Sequence, residues 1–291
     1  MIVSASTGLS SSGLLKLIAD SGSTNCLWVL ASGGNELQRI ITSGINPFYL
    51  SQEEIETILQ RDLLPRLQSM DIAEIHFYSA GCAFPDKIAI VRQALSSQLY
   101  APVIEVHTDL LAVARAACGN EAGIACILGT GSNTCLYDGE KIVKNVSPLG
   151  FILGDEGSGA SIGKLFIGNL LKNQYPESLY DTFMESYHTS PSEIMENVYR
   201  KPFPNRYLAQ FTHFIAGRLD EPLLYKLVFN SLMSFINRNV KQYDYQSYPV
   251  YFSGSVAWYF ADILQEVCME NGIYPADIQQ SPMQGLVEYH E

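Results

Sequence analysis

Apolar and polar positions along the first 120 residues predict short strands alternating with helices. The apolar runs "LLKLIAD" and "CLWVLAS", with "GGNELQRIITSGIN" after them, are typical of an antiparallel strand meander. "SQEEIETILQRDLLPRL" then places its isoleucines and leucines on one helical face, with Ser51 and Glu54 at capping-box spacing. The strands "EIHFYSAG" and "PVIEVHTD" and the helices "DKIAIVRQALSSQL" and "LLAVARAAC" complete the order β-β-β-α-β-α-β-α.

The same pattern restarts at Gly123 and is interrupted by a long helical stretch. A strand, a glycine turn, a second strand and the short strand "KIVKNV" come first. Helices are predicted near residues 158–173, 177–187, 192–200, 206–219 and 221–240. The apolar strand "PVYFSGS" and the helix "VAWYFADILQEVCMEN" follow.

These patterns predict an α/β protein with two domains of like topology. We expect the first domain over residues 14–115 and the second, with its helical insertion, over residues 116–282. The small and polar opening "MIVSASTGLSSSG", residues 1–13, is expected to be a disordered leader. Residues 283–291 are expected to be a C-terminal segment that packs back on the first domain.

Composition and charge narrow the function classes. At 291 residues, with 47% hydrophobic and 16% charged residues, the chain can form two domains with cores of their own. A net charge of -12 argues against a nucleic-acid partner, since phosphate backbones are bound by clustered Lys and Arg. A small anion is still compatible, because backbone N–H groups and a metal can hold it.

Cysteine usage and hydropathy indicate the compartment. The six cysteines show neither a CxxC pair nor metal-ligand spacing, which is typical of a reduced, cytoplasmic protein. No apolar run reaches the ~18 residues that a membrane-spanning helix needs. We therefore expect a cytoplasmic protein without a membrane partner.

One phrase occurs twice in the chain. "LIADSGSTNCLWVL" at Leu17–Leu30 returns as "CILGTGSNTCLYDG" at Cys126–Gly139, at a constant offset of 109 residues. The small residues leave backbone N–H groups unobstructed in both turns, and hydroxyls are added by Ser23, Thr24, Thr130 and Ser132. Either turn alone could be an ordinary hairpin. Two copies, one in each domain, favour a nucleoside triphosphate lying in a cleft between duplicated domains.

Four segments in a fixed order carry a family resemblance: "ADSGSTN", "LGTGSN", "GFILGDEGSGASIGK" and "YFSGSVAW". They resemble the two phosphate motifs, the most diagnostic loop and the adenosine motif of the sugar kinase–Hsp70–actin superfamily. Within it, they are most similar to the N-acetylglucosamine kinase branch, which is related to the ATPase subunits of benzoyl-CoA reductase. The resemblance implies two duplicated ribonuclease H-like domains, the actin-like ATPase fold, with a cleft between them. It also implies transfer of the γ-phosphoryl group of ATP, with Mg²⁺, to a hydroxyl of an amino sugar such as N-acetylglucosamine.

The resemblance implies which residues hold the nucleotide and its metal. Phosphate and adenosine contacts are implied for Gly22, Ser23, Thr24, Thr130, Gly131, Gly254 and Ser255. Asp20 is implied to hold Mg²⁺, directly or through water, although it could simply cap its own turn. Asp109 matches the family's catalytic aspartate, whereas on sequence alone it could be only the N-cap of the helix "LLAVARAAC".

Sugar contacts are also implied by the resemblance, at Asn46, Asp109, Ser132, Asn133 and Asp155. Asn46 precedes Pro47 and could be a turn residue, and Asp155 could lie in a surface turn. Carboxylates suit sugar hydroxyls because they accept hydrogen bonds in fixed directions.

Two departures from the family pattern bear on specificity. The family has a glycine pair and an aromatic residue before its conserved loop, where this chain has "SPLG" at residues 147–150. Asn25 stands where a basic residue often follows the first phosphate turn. The identity of the sugar therefore stays open.

Two other functions are compatible with the sequence. The related ATPase subunits drive a partner reductase and hold an iron–sulfur cluster through cysteines in a glycine-rich setting, which none of the six cysteines here has. Other branches of the superfamily are sugar-responsive regulators, which bind without turnover. The expected partners are a sugar and ATP, without nucleic acid, and a homodimer is left open.

Overall fold

A computed structural model describes residues 13–22 and 24–291, which form two compact units. The first unit extends to Ala112 and includes Met283–Glu291, and the second comprises Val113–Pro282. The expected leader lies outside the described residues except for Gly13, and Ser23 of the first turn also lies outside them.

The described residues contain ten strands and thirteen α-helices. The strands are β1 (Lys16–Ser21), β2 (Asn25–Ser32), β3 (Asn35–Ser43), β4 (Glu74–Ser79), β5 (Val103–Thr108), β6 (Gly123–Leu128), β7 (Ser132–Tyr137), β8 (Ile142–Val146), β9 (Val250–Ser253) and β10 (Pro275–Gln279). The helices are α1 (Gln52–Ile58), α2 (Pro85–Gln98), α3 (Asp109–Cys118), α4 (Gly150–Leu153), α5 (Gly159–Leu171), α6 (Glu177–Tyr187), α7 (Pro191–Tyr199), α8 (Pro204–Ala209), α9 (Thr212–Ala216), α10 (Pro222–Arg238), α11 (Ser255–Tyr259), α12 (Ala261–Glu270) and α13 (Met283–Tyr289).

The chain from β1 to α3 has the predicted β-β-β-α-β-α-β-α order, and the boundary between the two units lies within α3. The sheet of the first unit runs β3-β2-β1-β4-β5, with the first three strands antiparallel and β1, β4 and β5 parallel. The predicted capping box is present, since the Ser51 hydroxyl accepts the Glu54 N–H and the Glu54 carboxylate accepts the Ser51 N–H. Trp28 and Phe77 are fully buried in the core, with ring centroids 5.5 Å apart.

The second unit repeats this sheet, in the order β10-β9-β6-β7-β8. Between β8 and β9 the chain forms α4 to α10, the predicted helical insertion. Two of the helix predictions were wrong in part. The stretch 206–219 contains two helices, α8 and α9, because the N–H groups of Phe211 and His213 donate to carbonyls three residues back, at 3.2 and 3.3 Å, and the Thr212 hydroxyl donates to the Ala209 carbonyl. The helix after β9 is divided at Phe260, whose side chain is buried and whose backbone leaves the helical region.

The last elements, β10 and α13, lie in different units. β10 pairs in parallel with β9 at the edge of the second sheet. α13 packs on the first unit, where Met283, Leu286 and Val287 are buried and His290 stacks on His76 with ring centroids 3.7 Å apart. Within residues 13–22 and 24–291, no helix combines the length and the apolar character required to cross a membrane.

Candidate active site

The first group of candidate residues lies at the carboxyl edge of the first sheet. Parallel pairing aligns Ser21 with Ser79 and Ser79 with Thr108. Asp20 directly precedes Ser21, and Asp109 directly follows Thr108. Since β4 lies between β1 and β5, the two aspartates are separated by two strand spacings, roughly 10 Å.

Two buried serines attach the Asn46 loop to the same edge. The Ser21 hydroxyl donates to the Ile45 carbonyl at 2.9 Å and accepts from the Ile45 N–H at 2.8 Å. The Ser79 hydroxyl donates to the same carbonyl at 2.8 Å. Asn46 follows Ile45 and is therefore positioned by the ends of β1 and β4. The sequence analysis missed both serines, because these contacts join residues 24 and 34 positions apart.

Asn46 is a turn residue whose side-chain oxygen is engaged in the turn and whose side-chain nitrogen is not. Its Oδ1 accepts the Phe48 N–H at 2.9 Å, and its carbonyl accepts the Tyr49 N–H at 3.0 Å. Among the described residues nothing accepts a hydrogen bond from its Nδ2. The side chain is 8% exposed and lies against Gly81, where a Cβ would come within 2.3 Å of Oδ1. The turn thus fixes the amide, and Nδ2 can donate to a ligand.

Asp20 has no hydrogen-bond partner for its carboxylate among the described residues. Burial, and next the negative charge of Asp109, raise the pKa of Asp20 from 3.8 to about 7. The alternative that Asp20 caps its own turn has no supporting contact among the described residues, since the turn closes through the Gly22 N–H and the Asn25 carbonyl at 3.0 Å. An unpaired carboxylate of this kind is suited to a cation.

Asp109 begins α3, but a neighbour caps the helix. The Thr108 hydroxyl accepts the Leu111 N–H at 3.2 Å, which is the N-cap bond. One oxygen of Asp109 accepts the Leu110 N–H at 2.8 Å. Burial raises the pKa of Asp109 to about 6, and backbone N–H groups partly oppose this shift. Thr108 therefore caps the helix, and the Asp109 carboxylate accepts from the backbone N–H groups of Leu110 and of Asp109 itself.

The two glycine turns differ in their strand pairing. In the first hairpin Ser21 pairs with Cys26, and the turn is residues 22–25. In the second hairpin Leu128 pairs with Ser132, and the turn is residues 129–131. The offset of 109 residues that aligns the sequences of the two turns therefore does not align the residue pairs that close the two hairpins. Gly22 and Thr24 are exposed in the first turn.

The second group of candidate residues lies around the second turn, in the second unit. The N–H groups of Gly159 and Ala160 donate to the carbonyls of Gly129 and Thr130 at 2.8 and 3.0 Å. The start of α5 thus supports the turn that contains Thr130 and Gly131. A Cβ at Gly131 would lie 3.2 Å from the Asp155 carboxylate, so this glycine allows the close approach of Asp155.

Asp155 is placed by an unusual backbone conformation. Its φ is 54°, in the left-handed region, and its N–H donates to the Pro148 carbonyl at 2.9 Å. The Ser132 N–H donates to its Oδ1 at 3.4 Å. Burial first, and the neighbouring charge of Glu156, raise the pKa of Asp155 to about 6, although the Ser132 N–H and Lys164 oppose them. Asp155 is therefore in a buried loop and not in a surface turn.

Asn133 and the residues after β9 complete this group. The Asn133 Oδ1 accepts from the Thr134 N–H and the Asn145 Nδ2, both at 2.9 Å, so its amide orientation is set. Gly254 has a φ of 120°, and a Cβ there would lie 2.4 Å from the Leu128 carbonyl oxygen. This close approach brings Gly254 and the exposed Ser255 next to the second turn.

The divergent "SPLG" segment leads into an exposed apolar turn. Leu149 has a φ of 60°, and α4 follows it. Three large side chains here are exposed: Leu149, Ile152 and Leu153. The Lys164 ammonium donates to the Phe151 carbonyl at 2.6 Å, which ties α4 to α5. The segment next to Asp155 thus presents leucine and isoleucine side chains to solvent.

Comparison with known proteins places the chain in a family. No family model and no curated protein matches it. A solved structure from Porphyromonas gingivalis, described as a candidate N-acetylglucosamine kinase, is 50% identical with a TM-score of 0.92 and covers 94% of this chain and 98% of its own.

Two more distant solved structures share the fold. A candidate N-acetylglucosamine kinase from Chromobacterium violaceum is 16% identical with a TM-score of 0.71, covering 96% of this chain and 99% of its own. A ROK family glucokinase from Streptomyces griseus, in complex with glucose and AMPPNP, is 14% identical with a TM-score of 0.60, covering 94% of this chain and 97% of its own. Given the 50% identity to the first structure over nearly its whole length, the chain belongs to the N-acetylglucosamine kinase family of the actin-like ATPase superfamily.

Proposed function

We propose that this protein is an ATP-dependent kinase that phosphorylates a hydroxyl of an amino sugar, with N-acetylglucosamine as the first candidate. The observation that carries the proposal is the state of Asp109. Its helix is capped by Thr108, so the Asp109 carboxylate does not supply the cap, and its contacts among the described residues are with backbone N–H groups. Its pKa of about 6 suits a base at neutral pH. The solved structure from Porphyromonas gingivalis that is 50% identical to this chain is described as a candidate N-acetylglucosamine kinase, which supports the same activity.

Asp109 would act as the general base. The acceptor oxygen of the sugar bonds to the γ-phosphorus while the bond from that phosphorus to the β,γ-bridging oxygen breaks, and ADP leaves with the electron pair. The proton of the sugar hydroxyl passes to the Asp109 carboxylate. Position at the N-terminus of α3 favours the ionised form that a base requires. Such transfer depends mainly on positioning and charge stabilisation, which the remaining residues supply.

Asp20 is the residue that we propose to hold Mg²⁺, directly or through water. Its buried carboxylate lacks a described partner, and its pKa is raised, so a cation would favour its ionised form. No cluster of three or more metal-ligating side chains occurs within residues 13–22 and 24–291. This fits Mg²⁺, which keeps several waters and phosphate oxygens and takes few protein ligands. The ion would neutralise charge on the phosphates of ATP.

The nucleotide would be bound through backbone groups. We propose that the first turn, with Gly22, Ser23 and Thr24, and the second turn, with Thr130 and Gly131, contact phosphates through N–H groups and hydroxyls. Gly254 and Ser255 would contact the adenosine, since the close approach of Gly254 to Leu128 brings this loop next to the second turn.

The sugar would be bound by polar side chains that the fold has already oriented. Asn46 offers Nδ2 and Asn133 offers its own amide nitrogen, while Asp155 offers carboxylate oxygens and Ser132 a hydroxyl. The exposed leucines and isoleucine around α4 supply an apolar surface beside Asp155, which suits the methyl group of an N-acetyl substituent. This surface stands where the family has an aromatic residue, and it favours an N-acylated sugar over a plain hexose.

A coupled assay of ADP release tests this function. N-acetylglucosamine, N-acetylmannosamine, glucosamine and glucose should be compared at equal concentration, with a control that contains ATP and no sugar. We expect sugar-dependent ADP release that is highest with an N-acetylated sugar. ADP release that is the same with and without every sugar would reject the kinase proposal.

The alternative of an ATPase that energises a reductase is less well supported. All six cysteines are buried and none is in a disulfide, so none presents a thiol at the surface for a cluster shared with a partner. Six cysteines without a disulfide favour a reducing compartment, and we propose the cytoplasm. Iron analysis of protein purified without oxygen would detect a cluster.

A further inference from the structure

The loop that contains Asp155 lies against the C-terminal end of α10. Gly157 has a φ of 73°, and a Cβ there would lie 2.8 Å from the Phe235 Cβ. The glycine therefore allows the loop and the helix to approach closely. Phe235 belongs to the last turn of α10, which ends at Arg238. A contact that fixes the loop to this helix end also restrains Asp155.

The Glu156 carboxylate makes such a contact. Its Oε1 accepts from the Arg238 Nε at 3.0 Å, and its Oε2 accepts from the Asn239 Nδ2 at 3.4 Å. Arg238 is the last residue of α10, and Asn239 is its C-cap. The same Asn239 nitrogen donates to the Phe235 carbonyl at 3.3 Å. Both oxygens of Glu156 are thus bound by donors from one helix end.

The placement of Glu156 is unfavourable without these donors. Its side chain is only 14% exposed, so the carboxylate loses most of its hydration on folding. A negative charge is also disfavoured at the C-terminus of a helix, where the backbone dipole is negative. The two donors offset these costs. The main result of the interaction is therefore a fixed loop beside Asp155 and not a large gain in stability.

Asp155 adopts a conformation that depends on such support. Its φ of 54° lies in the left-handed region, which is disfavoured for a residue with a side chain. Its N–H donates to the Pro148 carbonyl at 2.9 Å, and its carbonyl accepts the Ser158 N–H at 3.0 Å. Its Oδ1 accepts the Ser132 N–H at 3.4 Å. The contacts of Glu156 add a restraint from a separate element, α10.

We propose that Glu156 is a positioning residue for Asp155. Bound by Arg238 and Asn239, it fixes the loop to α10 and holds the Asp155 carboxylate beside Ser132. The inference rests on the proposed function, in which Asp155 contacts the sugar. Loss of the attachment should therefore weaken sugar binding and leave ATP binding unchanged.

Sugar titration and hydrogen–deuterium exchange of the full chain test the attachment. In Glu156→Ala we expect the Kd for N-acetylglucosamine to rise about tenfold, while kcat and the Kd for ATP stay within a few-fold of wild type. Without sugar, exchange should become faster in peptides from residues 148–158. Glu156→Gln keeps an oxygen that can accept from one donor, so it should lose less affinity. Glu36→Ala removes a surface ion pair with Arg39 in the first unit, and this matched control should change neither quantity.

A double variant tests whether the effect passes through Asp155. Asp155→Asn removes the proposed carboxylate contact with the sugar, so adding Glu156→Ala should cause little further loss of affinity. A role of Glu156 that does not involve Asp155 would instead add its full effect in both backgrounds. Arg238→Ala removes one of the two donors, and its side chain is 61% exposed. This variant should fold and lose part of the affinity.

The outcomes separate this proposal from the kinase proposal. Unchanged exchange of residues 148–158 in Glu156→Ala would overturn the attachment, whichever sugar the protein phosphorylates. A loss of affinity as large in the Asp155→Asn background as in wild type would also overturn it, because Glu156 would then act independently of Asp155. Faster exchange of the loop in Glu156→Ala, in a protein that binds no sugar, would reject the proposed function and still support the attachment.

Discussion

Asp20 and Asp109 share the carboxyl edge of one sheet, and the charge of Asp109 adds to burial in raising the pKa of Asp20 to about 7. Neither carboxylate forms an ion pair with a described residue. Two buried carboxylates without a cation disfavour each other's ionised form. The ligand-free protein therefore carries an electrostatic cost at this edge, and the proposed Mg²⁺ and nucleotide would relieve it.

The first prediction concerns stability against pH. The pKa of Asp20 rises from 3.8 in the unfolded chain to about 7, so the folded state binds more protons between these values. Asp20 therefore costs no stability below pH 3.8, where it is protonated in both states. The free energy of unfolding then falls as pH rises from 3.8 through about 7. Asp20→Asn removes the charge, so it should raise the free energy of unfolding relative to wild type, more at pH 8 than at pH 5.

Urea unfolding at both pH values measures this difference. Carboxylates with lowered pKa values, such as Glu74 and Glu105, have the opposite pH dependence but are common to both proteins and cancel in the comparison. An Asp20→Asn protein with the same stability relative to wild type at pH 5 and pH 8 would contradict the prediction.

The second prediction concerns the base. Asp109→Asn keeps the shape of the side chain and removes its ability to take a proton, so kcat with the preferred sugar should fall by roughly 10²–10⁴-fold. Folding and ATP binding should survive, which circular dichroism and nucleotide titration can check. Thr108→Ala is the matched control, because it removes the cap of the same helix and should cost about 1 kcal/mol of stability while kcat stays within a few-fold of wild type. Near-normal kcat in Asp109→Asn would leave the base unassigned.

The third prediction concerns activity against pH. Asp109 must be ionised to accept a proton, and its pKa is about 6. We expect kcat/KM to decline as pH falls through about 6, since protonation then removes the base. Asp155 also has a pKa of about 6, so the profile of Asp155→Asn should be measured beside wild type. If the acidic decline disappears in Asp155→Asn, the titrating group is Asp155 and not Asp109.

The fourth prediction separates two tasks of Asn46. Its Oδ1 holds the Phe48 N–H, and its Nδ2 is the proposed donor to the sugar. Asn46→Asp keeps an acceptor for Phe48 and removes the donor, whereas Asn46→Ala removes both. Both variants should raise KM for the sugar, by roughly 5–150-fold for about 1–3 kcal/mol, with little change in kcat. Only Asn46→Ala should also lower the melting temperature. A rise in KM for ATP instead would assign the residue to the other substrate.

The sequence predicts most elements and the position in the fold of several candidate residues, because these depend on near neighbours in the chain. The position of Asp109 after an apolar strand is enough to place it at the carboxyl edge of a sheet. That Thr108 and not Asp109 caps α3 could not be predicted, since the choice of capping side chain depends on atomic geometry. The hydrogen bonds from Ser21 and Ser79 to Ile45, which position Asn46, could not be predicted either, because they join segments far apart in the chain.

Backbone conformation limited the prediction in the second unit. The amino-acid sequences of the two turns align at one offset. The turn length is set by the pairing between strands, however, and this length differs between the two hairpins. The left-handed conformations of Leu149 and Asp155 are held by the surrounding chain, for example by the bond from the Asp155 N–H to the Pro148 carbonyl. Neither residue type signals such a conformation as glycine would.

The last prediction concerns Gly254, which has a φ of 120°. A Cβ there would lie 2.4 Å from the Leu128 carbonyl oxygen, a backbone atom that cannot move aside cheaply. Gly254→Ala should therefore destabilise the protein by about 1–3 kcal/mol and weaken ATP binding, because the loop must shift away from the second turn. Gly168→Ala is the matched control, since that helical glycine has open space around its Cβ position. It should stabilise the protein by about 0.5–1 kcal/mol and leave ATP binding unchanged. Thermal unfolding and nucleotide titration of both variants measure these effects, and equal ATP affinity in Gly254→Ala and wild type would remove Gly254 from the proposed nucleotide site.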